Sequence, residues 1–494
     1  MLKPLSRLGL TIVFLAVSAL GATSAEPALP DIFSSGMVLQ RDMPIPVWGS
    51  AGDSTEVTVK LGETSATATA AGGKWRVELP SRPASAEALR LTVSFSSGPD
   101  IVIDDVLVGE VWLCAGQSNM AQTINKKAPR ALADMPQVRQ FSRQRGKKSK
   151  LPPTWKPAVG EGISDMSVTA VYFAENLHRE LDVPVGLILT AVSGTPIEEW
   201  TPRATLETDA ATKARIAEAA KRETRQQVNA MRKQLRENPG QEGDPELQNL
   251  ALLTRPGRLY AQHIAPTVPY GIRGVIWYQG EANSKVPANA QLYGKYLALL
   301  VAGLREAYGQ PELPFYAVQL PSIEDQLKEG QKPRVYEMVR EQQRRTVQAT
   351  PHAGLAVSLD VNEGLHPRSK NIMGDRLAKL ALAQTYHRPG EGAFSGPLLT
   401  GVTFQDGRAV CTFEHAEGGL ELKDTGESLF ELAGPDGVFH PATAKVEGDT
   451  LVVESPAVSE AAGVRYAFRP FMPRVSLYGA SGLPAAPFVH PSMD

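Results

Sequence analysis

Apolar and polar positions alternate with period two in the first part of the chain. Val57, Val59 and Leu61 take every second position. So do Trp75, Val77 and Leu79, after the turn at Gly72-Gly73, and Leu89, Leu91, Val93 and Phe95. Side chains of an extended chain point to opposite faces in turn, so these runs predict a small antiparallel β-sandwich over residues 26–105. Near Val106 the pattern changes. Short continuous apolar runs at 106–114, 185–190, 274–278, 315–320 and 355–359 now alternate with stretches of helical period at about 168–181, 292–308, 334–349 and 370–387. A strand covered on both faces has no polar side. Five such runs with helices between them predict an α/β fold: a three-layer α/β/α unit over 106–388, built on a five-stranded parallel sheet. Within it, about 204–236 is rich in Ala, Lys, Arg and Glu and reads as a helical insert, either a solvated surface element or a lid over a site. From 389 to 494 the β pattern returns, with hairpin signals at Asp406-Gly407 and Asp436-Gly437.

Composition narrows the classes. A hydrophobic fraction of 42% and a charged fraction of 21% fit a soluble protein, and 494 residues exceed one ordinary core. The formal net charge of −2 points neither to nucleic acid nor to an anionic membrane. Lys3 and Arg7 precede an apolar run at 8–20, and Thr23-Ser24-Ala25 follows it. That order predicts a secretory signal over 1–25 and a secreted or periplasmic mature chain. The run is shorter than the roughly 20 residues a membrane span needs, so no membrane anchor is expected in the mature chain. Cys114 and Cys411 are the two cysteines. Two thiols cannot build a four-thiolate zinc site, and Cys114 lies in an apolar run, so both are expected to be buried and free. Oligomeric state is left open.

The candidate chemistry collects where apolar runs end. In an open parallel sheet, ligands bind beyond the carboxyl ends of the strands. The run at 106–114 leads into Ala115-Gly116-Gln117-Ser118-Asn119-Met120, which places a serine at such an end. The run at 355–359 leads into Asp360-Val361-Asn362-Glu363-Gly364-Leu365-His366-Pro367, with a histidine and two carboxylates. A carboxylate three residues before a histidine can fix the imidazole tautomer that accepts a serine proton. Two more polar loops follow strand ends: Ser193-Gly194-Thr195-Pro196-Ile197-Glu198 and Trp277-Tyr278-Gln279-Gly280-Glu281-Ala282-Asn283. A glycine N–H and a side-chain amide are suitable donors to a developing oxyanion.

These segments carry a resemblance. The run 109–120, from Gly109-Glu110-Val111-Trp112 to Gly116-Gln117-Ser118-Asn119-Met120, resembles the sialate O-acetylesterase family, a branch of the SGNH-type hydrolases. So do Gly274-Val275-Ile276-Trp277-Tyr278-Gln279-Gly280-Glu281-Ala282-Asn283, Gly194-Thr195-Pro196-Ile197-Glu198-Glu199-Trp200 and Leu365-His366-Pro367. Met37-Val38-Leu39-Gln40-Arg41 near the start and Gly482-Leu483-Pro484 near the end extend the likeness over nearly all of the mature chain.

The resemblance implies a metal-free, cofactor-free serine esterase acting on an acetylated sugar. Ser118 would be the nucleophile and His366 the general base. Ser118 N–H, Gly194 N–H and the Gln279 side chain would form the oxyanion hole, with Glu281 and Asn283 bracing it. Trp200 and Tyr278 are candidate faces for a sugar ring. The acid is open. Glu363 occupies the position three before the histidine, where such enzymes commonly carry Asp. Asp360 is its rival, and a Ser–His dyad is the third possibility. Substrate alternatives are acetylated xylan, xyloglucan or pectin. The alternative of another class is a non-catalytic carbohydrate-binding protein.

Overall fold

The computed structural model describes residues 25–124, 131–143, 153–238, 243–324, 334–388, 390 and 393–491. The expected export signal lies outside the described residues, apart from Ala25.

The central sheet contains β1 (Ile101–Gly116), β2 (Met135–Ser142), β3 (Trp155–Ala158), β4 (Val185–Ala191), β5 (Gly274–Tyr278), β6 (Phe315–Val318) and β7 (Ala353–Ala356), in the order β7-β6-β5-β1-β4-β2-β3. Every neighbouring pair from β7 to β2 is parallel, and β3 closes the edge antiparallel to β2. The expected five-stranded parallel sheet is therefore corrected to six parallel strands and an antiparallel edge. The additional strand is β2, whose sequence Met-Pro-Gln-Val-Arg-Gln-Phe-Ser lacks a continuous apolar run. Arg139 and Gln140 are nevertheless buried there, because their polar ends find partners: Arg139 pairs with Asp105, and Gln140 accepts from Ser167 N–H.

Sequence period and observed helices agree closely. The layer helices are α1 (Val168–Leu181), α2 (Tyr293–Tyr308), α3 (Tyr336–Gln348) and α4 (Lys370–Leu380). Ser167 caps α1 by accepting from Ala170 N–H, and Gly309 ends α2 in the left-handed conformation that glycine tolerates. The insert is helical, with segments Ala210–Ala220 and Arg222–Glu237 broken at Lys221. It rests on α2 through an Asp209–Lys295 ion pair of 2.6 Å and packs Val228 and Met231 against Ala251.

Strand β1 also pairs with N-terminal strands. Its first half pairs antiparallel with Ser85–Phe95, while Val38–Gln40 runs parallel to its middle. The change of pattern near Val106 thus falls inside a strand and not at a linker. The C-terminal residues form a seven-stranded antiparallel sheet from Leu398–Gln405 to Phe488–His490. Its turn at Asp406-Gly407 has two residues, both at positive φ, as that hairpin type requires. Arg340 of α3 docks this region. Fully buried, it donates to the carbonyls of Leu320, Pro321, Arg469 and Pro470.

Candidate active site

The central strand β1 delivers Ser118. Gly116 sits at φ +141°, and a Cβ there would lie 2.2 Å from the Tyr278 carbonyl oxygen, so only glycine lets β1 and β5 approach this closely. Gln117 N–H donates to that same carbonyl, and the Gln117 side-chain oxygen accepts from Ala282 N–H. The chain then turns at once into the short helix Ser118–Ala121. Ser118 is left partly exposed, and its N–H makes no hydrogen bond among the described residues.

The histidine arrives from the opposite side. After β7 the chain returns toward the middle of the sheet, and His366 Nε2 lies 3.0 Å from Ser118 Oγ. These two side chains are 248 residues apart in sequence. Burial, followed by the nearby Lys370 ammonium, holds the imidazole below its ordinary pKa. It is therefore neutral at neutral pH, and a neutral imidazole can accept the serine proton.

Neither expected acid reaches this ring. Glu363 turns into its own loop, where its carboxylate accepts from Arg368 N–H at 2.6 Å, from Ser369 N–H at 2.9 Å and from the Ser369 hydroxyl. Burial opposes its charge, but those hydrogen bonds and Lys370 outweigh it and keep the carboxyl below its ordinary pKa. Asp360 is held by both guanidinium nitrogens of Arg376, at 2.7 and 2.6 Å. His366 Nδ1 has no hydrogen-bond partner among the described residues. The three-residue spacing thus closes the loop that carries the histidine and does not orient its ring.

The third and fourth loops lie on either side of β1. Gly194, after β4, is exposed at φ +72° with nothing near its Cβ position, and its N–H is unbonded among the described residues. Gln279, expected as an oxyanion donor, is fully buried. Its amide nitrogen donates to the Thr195 carbonyl at 3.1 Å and to Asn283 Oδ1 at 2.9 Å, which uses both hydrogens. It positions the Gly194 loop from behind. Asn283 is the hub of this support. It accepts from Ile197 N–H and Gln279 and donates to the Glu198 carboxylate at 3.1 Å. Burial pushes the Glu198 carboxyl up to about 7. Trp200 and Tyr278 are both 0% exposed, so they are core residues and not sugar platforms. Trp200 donates to Thr195 Oγ1 at 2.9 Å, another brace on the same loop.

Three residues near the pair were not singled out by type and spacing. Asn119 is fully buried, and its amide donates to Glu281 Oε1 at 2.6 Å and to the Leu365 carbonyl at 3.1 Å. Glu281, expected as a brace, is 1% exposed, and burial raises its pKa. Lys370, also 1% exposed, donates to the Pro367 carbonyl, and burial pulls its pKa down to about 8. Glu198 completes the set. The signal for Asn119 was its place next to Ser118, and for Glu198 its place in the strand-end loop 193–198; for Lys370 the linear sequence holds none. Cys114 and Cys411 are both buried and free. Among the described residues no group of His, Cys, Asp and Glu could hold a metal ion, and no helix is long and apolar enough to cross a membrane.

The arrangement is a hydroxyl–imidazole pair with free N–H groups beside it, at the carboxyl edge of a parallel sheet, which is the geometry of acyl transfer. Comparisons agree with that chemistry. The family model described as carbohydrate esterase, sialic acid-specific acetylesterase, matches residues 108–231 and 253–383, more than half of the chain. The sialate O-acetylesterase of Rattus norvegicus is 28% identical over 407 residues, covering 73% of this chain and 74% of its own. That of Homo sapiens is 24% identical over 515 residues, covering 92% and 91%. A crystal structure of a carbohydrate acetylesterase from Xanthomonas citri superposes with a TM-score of 0.76 at 30% identity, covering 94% of this chain and all of that one. With six parallel strands delivering a serine and a histidine to one edge, and with this likeness along the chain, the protein belongs to the sialic acid-specific acetylesterase family of carbohydrate esterases and is a carboxylic ester hydrolase.

Proposed function

We propose that this chain removes O-acetyl groups from carbohydrates as a serine esterase, with Ser118 and His366 as a catalytic dyad and acetylated sialic acid as the preferred substrate class. The single observation carrying the mechanism is the 3.0 Å contact between His366 Nε2 and Ser118 Oγ. Ser118 Oγ attacks the acetyl carbonyl carbon while His366 takes its proton. The negative charge on the carbonyl oxygen is met by the N–H groups of Ser118 and Gly194. Collapse expels the sugar oxygen, which leaves with the proton from His366, and an acetyl-enzyme remains. Water, deprotonated by the same imidazole, attacks that ester and releases acetate and Ser118. Glu363 and Asp360 take no direct part, because their oxygens are engaged elsewhere.

The curated relatives' name supports a sialate substrate, and the Xanthomonas citri neighbour's wider name keeps acetylated plant glycans as the second reading. Acetate release from acetylated sialic acids, set against acetylated xylan, xyloglucan and pectin, separates the two. Ser118→Ala is the control and should lower the rate by roughly 10³-fold or more. A full rate in that variant removes the nucleophile. No acetate from any ester would instead leave a carbohydrate-binding protein. The charged, apolar, small-residue order of 1–25 supports export, and N-terminal sequencing of the protein recovered outside the cytoplasm should begin near Glu26.

A further inference from the structure

The imidazole of His366 has no carboxylate behind it, so something else must fix its direction. The loop that carries it is exposed and contains Gly364 at φ +80°. Most of the hydrogen bonds that shape this loop arise within residues 363–370: Glu363 with Arg368 and Ser369, and Lys370 with Pro367. They close the loop on itself but do not set its height above Ser118. Two bonds reach it from the nucleophile turn. One is the Ser118–His366 contact itself. The other is the Asn119 amide on the Leu365 carbonyl, at 3.1 Å.

That carbonyl belongs to the peptide unit whose nitrogen is His366 N. Because the peptide is planar, a donor holding its oxygen fixes the plane from which the His366 side chain departs. Asn119 is itself fixed. It is fully buried, its other amide hydrogen is on Glu281 Oε1 at 2.6 Å, and its backbone carbonyl accepts from Thr169 Oγ1. Glu281 is in turn buried at the end of β5. A continuous path therefore runs from Glu281 through Asn119 and the Leu365 carbonyl to His366. The groups facing Glu281 are Asn119, Lys370 and Arg334.

We infer that Asn119 is the positioning residue of this dyad: it orients His366 through the backbone, with Glu281 as its anchor, where a triad would use a carboxylate on the ring. The inference rests on the Ser118–His366 reading above. Misplacing a catalytic group by about 1 Å can cost roughly 10²-fold in rate. Loss of the Asn119 amide should accordingly lower kcat by roughly 10- to 100-fold while KM stays within about twofold.

A double-mutant cycle on the full mature chain tests it, with kcat and KM measured on a chromogenic acetyl ester for Asn119→Ala, His366→Ala and the double variant. A residue acting only through His366 has nothing left to act on once the imidazole is gone. The expected result is a double variant no slower than His366→Ala. If Asn119→Ala slows the His366→Ala enzyme by its full single-variant factor, the positioning role is overturned and the dyad stands. If His366→Ala alone keeps the wild-type rate, the dyad reading itself has failed.

Asn119→Asp, which keeps the volume, covers the case in which the alanine variant does not fold. Combined with Glu281→Gln it restores the link between 119 and 281 with donor and acceptor exchanged, but leaves the Leu365 carbonyl facing an acceptor. That pair should remain at least tenfold slow at pH 8. Recovery to within about twofold of wild type would mean that only the 119–281 link matters, and would overturn the inference.

Discussion

The two halves of the proposed dyad are held in opposite ways. Ser118 stands at the end of the most central strand, behind a glycine that touches the neighbouring backbone, with buried Gln117 and Asn119 on either side. His366 stands in an exposed loop beyond an edge strand, shaped by a carboxylate folded back on its own backbone. One half takes its precision from packing and the other from a few hydrogen bonds. Buried, close-packed groups tolerate almost no change in volume, whereas an exposed loop can relax around a lost contact. The site should therefore fail abruptly when touched on the serine side and by degrees on the histidine side.

The largest effect is expected at Gly116. The added methyl of Gly116→Ala meets Tyr278 backbone atoms at 2.2 and 2.8 Å, at a φ that L residues rarely adopt. We expect no soluble protein, or a Tm lowered by roughly 10 °C with esterase activity gone. A folded, active variant would show that the serine turn is not packed as described.

Next comes Glu363→Gln. As a triad acid, Glu363 would cost roughly 10⁴-fold in kcat when neutralised. As a loop-closing acceptor that keeps one oxygen, it should cost about tenfold. Steady-state kinetics separate these outcomes, and the larger loss would return Glu363 to the triad.

Lys370→Met acts on the histidine through charge. Burial and then the ammonium lower the His366 pKa, and Lys370 itself titrates at about 8, so the charge is present throughout the acid limb. In the proposed mechanism, activity needs neutral imidazole and is lost as pH falls through its pKa. Removing the ammonium raises that pKa, so the acid limb of kcat/KM should move to higher pH, by a few tenths of a pH unit. An unmoved limb would leave Lys370 as a loop residue only.

The smallest effect is expected at Glu198, behind the Gly194 loop. Its folded-state pKa of about 7 lies above the ordinary carboxyl value. The stability that the protonated form supplies is full below the unfolded pKa and fades as pH rises toward 7. Glu198→Gln should therefore be more stable than wild type at pH 8, by about 1–3 kcal/mol, with the gap closing near pH 5. Thermal melts at the two pH values check it. A variant less stable at pH 8 would mean that the ionised carboxylate is preferred.

Much of this was legible in the chain. Continuous apolar runs gave five of the six parallel strands, because a strand buried on both faces cannot carry exposed polar positions. The exception, β2, hides Arg139 and Gln140 behind partners distant in sequence, and no periodicity reports that. That Ser118 and His366 meet could be anticipated because both follow the carboxyl ends of parallel strands.

What the sequence by itself determined was five of the parallel strands, the sheet edge where the candidate residues gather and the residue types available there. Hydrophobic period and turn chemistry are local and survive in a linear string. What only the tertiary structure decided was which polar atom faces which. Glu363 and Asp360 both had a plausible spacing to His366, yet one meets a helix N-terminus and the other an arginine. Gln279 was a fitting oxyanion donor until Thr195 and Asn283 claimed both its hydrogens. A hydrogen bond is settled within a few tenths of an ångström and by angle, and that precision arises only once the loops have packed into their final places.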